Sequence, residues 1–181
     1  MKPNTKLMDA EMIQRSLMRM SHEILERNKG TQDLAIIGIR SRGAFLAQRI
    51  AGCITAIDGA ELPVGILDIT LYWDDLTMFD YCPVVHSTEV AFDISDKKLI
   101  LVDDVLFTGR TIRCALDELI DLGRPQNIQL AVLIDRGYRE LPIRADYVGK
   151  NVPTARTQSV DVHLSEVDEC DEVVLLSRGG T

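Results

Sequence analysis

Apolar positions along this chain follow two patterns that alternate from one end to the other. Over residues 8–27, Met12, Leu17, Met20, Ile24 and Leu25 recur at three- to five-residue steps, and Gly30 lies just beyond. That spacing predicts a helix with a stop signal. The run LAIIGI at 34–39 is instead continuously apolar and of strand length, as expected of a strand covered on both faces of a parallel sheet. A turn, Arg40-Ser41-Arg42-Gly43, leads into a second helical stretch at 44–57, and 62–72 alternates as a strand does. KLILV at 98–102 predicts the next buried strand, 111–122 the next helix, closed by Gly123 and Pro125, and 128–134 another strand. Residues 148–153 read as a turn-rich excursion, and short strands near 160–164 and 173–176 finish the chain. Strand and helix alternating over short links predict an α/β domain on a mainly parallel sheet. Without an internal repeat or flexible linker, 1–181 is expected to form a single domain.

Residues 73–88 break the pattern. They show no period and contain Asp74, Asp75, Asp80 and Pro83, which predicts a loop long enough to serve function. Of 181 residues, 46% are hydrophobic and 27% charged, a globular composition able to bury a real core. No apolar stretch approaches the length of a membrane span, and the first fifteen residues lack the apolar core of a secretory signal, so a cytosolic protein is expected. Cys53, Cys82, Cys114 and Cys170 are scattered, as are His22, His86 and His163. That spacing predicts free thiols and no structural zinc. A net charge of −8, from 20 basic and 28 acidic residues, argues against sequence-independent coating of nucleic acid. One local basic face remains compatible with it, because charges beyond about 8 Å are screened.

The candidate chemistry lies in LILVDDVLFTGRT, residues 99–111. An apolar strand delivers Asp103 and Asp104 at its end, and a hydroxyl- and glycine-rich turn then opens a helix. Ligands in open α/β sheets sit beyond the carboxyl ends of strands, and a helix N-terminus offers unpaired N–H groups to phosphate. Gly109 permits close backbone approach, and Thr108 and Thr111 add hydroxyl donors. The carboxylates suit ribose hydroxyls or a magnesium ion. Phosphate on one side and polyol or metal on the other describes a sugar phosphate. No G-K-[ST] follows, so the turn is not a Walker A loop.

VDDVLFTGRT resembles the phosphoribosyl-pyrophosphate signature of type I phosphoribosyltransferases. IGIRSRG at 37–43, LDITLYWDDL at 67–76, DRGYRELPIRADYVGKNVPT at 135–154 and LSEVD at 164–168 extend the resemblance over nearly the whole chain to the PyrR family. In that family one protein is both a uracil phosphoribosyltransferase and a regulator binding pyrimidine-operon leader messenger RNA. The resemblance implies a type I phosphoribosyltransferase fold: a mainly parallel sheet flanked by helices, with a small hood and a flexible active-site loop. It implies conversion of uracil and phosphoribosyl pyrophosphate to UMP and diphosphate, with Mg2+ as cofactor and a homodimer or higher homo-oligomer. Asp103 and Asp104 are then the catalytic pair at the ribose. Thr108, Gly109, Arg110 and Thr111 cradle the 5′-phosphate, Val105, Leu106 and Phe107 belong to the same phosphoribosyl-pyrophosphate-binding segment, and Ser41 and Arg42 meet the pyrophosphate. Arg136 is implied as a substrate contact and Val160 as the uracil-side position. Asp74 and Asp75 either reach the metal or are solvated loop acids.

For RNA, the resemblance implies a basic face of His22, Arg139, Arg144 and Lys150, which Arg19 joins on the first helix. Arg15 and Arg19 lie four apart on the predicted first helix, with His22 three further on, so the three share a face. Three residues depart from the family: Met18 for a common threonine, Trp73 for an arginine before the loop acids, and Tyr138 for a histidine. Three readings follow: the bifunctional enzyme and RNA regulator, an enzyme without RNA binding, and a non-catalytic sensor of phosphoribosyl pyrophosphate or UMP.

Overall fold

The computed structural model of the chain describes residues 5–69, 88–155 and 157–177. Five parallel strands form the central sheet in the order β3-β2-β4-β5-β6: β2 Leu34–Ile39, β3 Val64–Leu67, β4 Lys98–Leu106, β5 Asn127–Asp135 and β6 Tyr147–Asn151. Alternate side chains of β2 enter different cores. Leu34 and Ile36 pack against the helices α1 Ala10–Asn28 and α2 Arg42–Asp58, while Ala35, Ile37 and Ile39 pack against α3 Arg110–Leu122. Both faces are therefore covered, which is why the strand reads as an unbroken apolar run.

Three strands form a second, antiparallel sheet in the order β1-β8-β7: β1 Thr5–Asp9, β7 Gln158–His163 and β8 Glu172–Ser177. It is the small hood, and a four-residue helix, α4 Ser165–Asp168, joins β7 to β8. No helix among the described residues is long and apolar enough to cross a membrane.

Several boundaries differ from the sequence expectation. The first helix begins at Ala10, because the Asp9 carboxylate caps it by accepting the Met12 N–H at 2.8 Å. The residues before it form β1. The 98–102 strand runs on through the acid pair to Leu106, since Asp103, Val105 and Leu106 still pair with β5. Residues 148–153 are no turn-rich excursion: 147–151 form β6, the edge strand beside β5. The predicted 73–88 loop, with Asp74, Asp75 and Trp73, lies outside the described residues apart from Thr88.

The strand order fixes where the site belongs. From β2 the chain crosses through α2 to β3 on one side, and from β4 it crosses through α3 to β5 on the other. The carboxyl ends of β2 and β4 are thus the topological switch point, where a crevice opens in sheets of this kind.

Candidate active site at the carboxyl ends of β2 and β4

At that switch point lies a cleft of about 340 Å³ lined by Ile39, Arg40, Ile69, Asp103, Asp104, Val105 and Thr111. A larger cleft, about 520 Å³, lies at the opposite ends of the strands, among Arg27, Asn28, Lys98, Asn127 and Gln129. Its amides satisfy one another, with Asn28 donating to Gln129 Oε1 at 3.0 Å and Gln129 donating back at 2.8 Å. It brings no acid pair or glycine turn together, so the chemistry is assigned to the smaller cleft.

Two turns build the site. After β2, the Arg40–Ser41 peptide is cis. Ser41 precedes α2 without a side-chain cap bond, so the first N–H groups of α2 stay available to an anion. Arg40 reaches Asp68 at 3.4 Å and Glu89 at 3.2 Å. Arg42 is held by Asp168 of α4, with Nε to Oδ2 at 3.1 Å and Nη2 to Oδ1 at 2.8 Å. After β4, Gly109 adopts φ +92° before α3, a region in which a Cβ is strained. A Cβ there would also meet Ile143 and Leu141 at 3.3 to 3.4 Å. The Thr108 carbonyl accepts the N–H groups of Glu140 at 2.9 Å and Leu141 at 3.1 Å, which ties the loop after β5 over this turn. Arg110 turns its side chain outward to Glu140 at 2.7 Å, so only its backbone faces the turn.

The acid pair is electrostatically unbalanced. Asp103 is 7% exposed, and burial, with the neighbouring Asp104 charge second, pushes its carboxyl well above the usual range. Burial also raises Asp104, opposed by the Val105 N–H at 2.8 Å and by the nearby Arg42 charge. Buried acids short of compensating cations and donors suit a ligand that brings hydroxyl groups or a metal ion.

A raised carboxyl has a defined effect on stability. The unfolded chain ionises Asp103 first, so its cost to folding appears as pH rises above the unfolded value and grows until the folded group ionises. Asp103→Asn keeps the acceptor for the Asp104 N–H at 2.9 Å and removes that cost. The variant should be about 1 kcal/mol more stable near neutrality, or about 3 °C in Tm, and should match wild type near pH 3.5. Thermal unfolding at the two pH values measures it.

Directly after β5, Arg136 is 7% exposed and stacks on Phe107, 3.9 Å from the ring centroid. It donates to Thr154 Oγ1 at 3.0 Å and to the Gln158 carbonyl at 2.5 Å. No carboxylate among the described residues pairs with it, and burial lowers its pKa. Val160 is buried on β7, the hood strand that begins at Gln158.

The predicted RNA residues do not share one fate. Arg19 donates to the carbonyls of Val148 and Gly149 at 2.9 and 2.8 Å and pairs with Glu23. Lys150 donates to the Leu7 carbonyl at 2.8 Å. Arg139 is a clamp on the site: Nε donates to Ile143, Nη1 to Phe107 and Gly137, and Nη2 to Asp135. His22 and Arg144 are exposed. His163, Cys170 and Glu172 bring their ligand atoms within 4.8 Å of one another on the hood. Glu172 already pairs with Lys6 at 2.7 Å, and cross-strand register places His163 opposite it. Cys53, Cys114 and Cys170 are free.

The family model described as "Phosphoribosyl transferase domain" matches residues 4–166. Proteins named "Bifunctional protein PyrR" match almost end to end. That of Pelotomaculum thermopropionicum is 61% identical over 94% of both chains, and that of Thermus thermophilus is 58% identical over 99% of both. The chain belongs to the PyrR family of phosphoribosyltransferases. The PyrR protein of Deinococcus radiodurans adds a 57% match over 96% of this chain and 94% of its own. Among solved structures, a hypoxanthine phosphoribosyltransferase of Trypanosoma cruzi superposes with TM-score 0.73 at 17% identity, covering 96% of both chains. A Staphylococcus aureus enzyme of the same name gives 0.70 at 19%, over 93% and 90%. These confirm the fold that the resemblance implied, that of type I phosphoribosyltransferases.

Membership in the PyrR family does not by itself reveal two features. Asp168 enters the resemblance only as the last residue of LSEVD, and its pairing with Arg42 across the fold is not encoded in spacing. Thr154 and the Gln158 carbonyl as supports of Arg136 likewise carry no local signal.

Proposed function

We propose that the protein transfers the phosphoribosyl group of phosphoribosyl pyrophosphate to uracil, releasing diphosphate, and that it also binds pyrimidine-operon leader messenger RNA under control of UMP and phosphoribosyl pyrophosphate. The observation carrying the first part is the buried, cation-deficient pair Asp103 and Asp104 between two anion-facing helix starts. The names of the relatives support both parts.

In this reading the N–H groups at 108–111 hold the 5′-phosphate, with the Thr108 and Thr111 hydroxyls, while Val105, Leu106 and Phe107 form the wall of the turn. Ser41, Arg42 and the start of α2 meet the diphosphate. Asp103 and Asp104 accept from the ribose hydroxyls and face the ring as its anomeric carbon becomes cationic, a transition state expected of glycosidic displacement. Carboxylates placed there stabilise charge that develops only at that point. Arg136 faces the substrate from the base side beside Val160. Asp103 and Asp104 would hold magnesium, whose preference for carboxylate oxygen suits this cation-poor pair, and Asp74 and Asp75 are further candidates by sequence. The metal would supply Lewis-acid assistance to the departing diphosphate. UMP formation from uracil, phosphoribosyl pyrophosphate and magnesium tests this reading, and a purified protein that forms none would remove it.

The RNA face is proposed as α1 with the adjoining β6, where His22 is exposed and Arg19 and Lys150 brace the surface, together with the exposed Arg144 in the loop before β6. A homo-oligomer would join two such faces. The engagement of Arg19, Lys150 and Arg139 with backbone carbonyls favours a second reading, an enzyme without RNA binding. A gel shift with a leader hairpin and UMP separates the two. Binding should weaken as salt rises, with a logarithmic slope of about 0.7 per phosphate neutralised, and Arg144→Ala should flatten that slope. No shift at low salt selects the second reading.

A further inference from the structure

We infer that Asp168 is a positioning residue for the diphosphate site, holding Arg42 so that one edge of its guanidinium faces the leaving group. This rests on the phosphoribosyl-transfer reading above and adds a residue from the hood to it.

The guanidinium is a planar fork with five N–H donors. Asp168 takes its side-on edge, Nε and one N–H of Nη2, through two different carboxylate oxygens at 3.1 and 2.8 Å. A two-point contact fixes the plane of the group as well as its place. Both N–H groups of Nη1 and the second of Nη2 remain, and they form the end-on edge that suits a pair of phosphate oxygens. The same guanidinium lies near enough to Asp104 for its charge to be felt there. It therefore stands between the hood and the acid pair.

Asp168 is itself held. Its Oδ2 also accepts the Leu164 N–H at 3.0 Å, and its own N–H donates to the Leu164 carbonyl at 2.7 Å. The carboxylate thus belongs to a closed local ring at the start of α4, so its orientation does not depend on Arg42. A separate contact docks the same segment. Arg49 lies seven residues beyond Arg42 on α2, two turns along and on the same side. It donates to Glu166 at 2.8 and 2.5 Å, to Asp171 at 2.7 and 2.8 Å and to Ser165 at 3.0 Å. The hood segment stays attached to α2 when Asp168 loses its charge, because Arg49 carries the docking. Aligning a contact to the departing diphosphate is then the role left for the Arg42–Asp168 pair.

The test compares Asp168→Asn, Asp168→Glu and Glu166→Gln with wild type, alone and in an Arg42→Gln background. Steady-state kinetics give the KM for phosphoribosyl pyrophosphate and for uracil, and calorimetry gives the affinity for pyrophosphate alone. Asp168→Asn should raise the KM for phosphoribosyl pyrophosphate and weaken pyrophosphate binding, each about tenfold, the scale of one misaligned charge-assisted contact. The KM for uracil should stay within about twofold of wild type. Asp168→Glu should recover part of the loss, and Glu166→Gln should lower Tm without changing the pyrophosphate affinity. In the Arg42→Gln background, Asp168→Asn should add nothing. An Asp168→Asn variant that behaves like Glu166→Gln, or that loses a full tenfold without Arg42 present, would overturn the inference. Should wild type form no UMP, the enzymatic reading falls on its own, and the pyrophosphate titrations still decide the role of Asp168.

Discussion

Replacing Asp104 with asparagine should lower the rate of UMP formation by about 10² to 10³-fold, close to 3 to 4 kcal/mol of transition-state stabilisation. The substitution keeps the shape of the side chain and an acceptor for the Val105 N–H, which Asp104 Oδ1 receives at 2.8 Å. It removes the negative charge that the proposed mechanism sets against a developing cation, and with it the charge balance against Arg42. Binding of the ground-state sugar depends on hydroxyl acceptors that asparagine partly retains, so the loss should fall more on kcat than on KM. Single-turnover measurement of UMP with saturating substrates isolates that step. An Asp104→Asn enzyme as fast as wild type would remove the carboxylate from the mechanism.

The second large effect is structural and lies at Gly38. A Cβ on this β2 residue would run into the Gly43 carbonyl oxygen and stand 2.5 Å from the Ala44 Cα. One at Gly43 would stand 2.6 Å from the Val102 carbonyl oxygen and 3.2 Å from the Asp103 Cα. All of these atoms are backbone, so no side chain can rotate away. The two glycines let the turn after β2 fold back against its own strand and then against β4, and they set Arg42 beside the acid pair. Gly38→Ala should therefore cost about 3 kcal/mol, seen as a Tm lower by about 10 °C, and should weaken pyrophosphate binding as the turn shifts. Gly52→Ala in α2 is the control. Nothing lies within 4 Å of its added Cβ, so it should be neutral or stabilising by about 0.5 to 1 kcal/mol.

Much of this arrangement was legible because its causes are local. LAIIGI and KLILV announced strands covered on both faces, and the acid pair followed by Thr108-Gly109 announced the glycine turn that opens α3. What the sequence hid has non-local causes. The strand β1 exists because it pairs with β8 at the far end of the chain, and five residues carry too little pattern to say so. The edge strand β6 reads as a turn because of Gly149. That glycine marks close approach, since a Cβ there would meet the Leu133 carbonyl oxygen at 2.5 Å. Asp103 and Asp104 read as the end of β4 because two carboxylates seldom sit within a buried strand, yet pairing with β5 continues past them.

The basic residues teach the same lesson about side chains. Sequence identifies Arg19, Arg139 and Lys150 as cations but not the carbonyl oxygens that engage them. Arg42 and Asp168 belong to separate motifs, 126 residues apart, while the fold joins them by two hydrogen bonds. Burial decides the character of Asp103 in the same way, raising a carboxyl that sequence alone treats as an ordinary acid.

A crystal of the protein grown with UMP locates the sugar-phosphate site without relying on turnover. The 5′-phosphate should lie on the backbone N–H groups between Thr108 and Thr111, with the ribose hydroxyls within hydrogen-bond distance of Asp103 and Asp104. UMP bound at any other place, with the β4–α3 turn left free of it, would rule out a sugar-phosphate site at the acid pair.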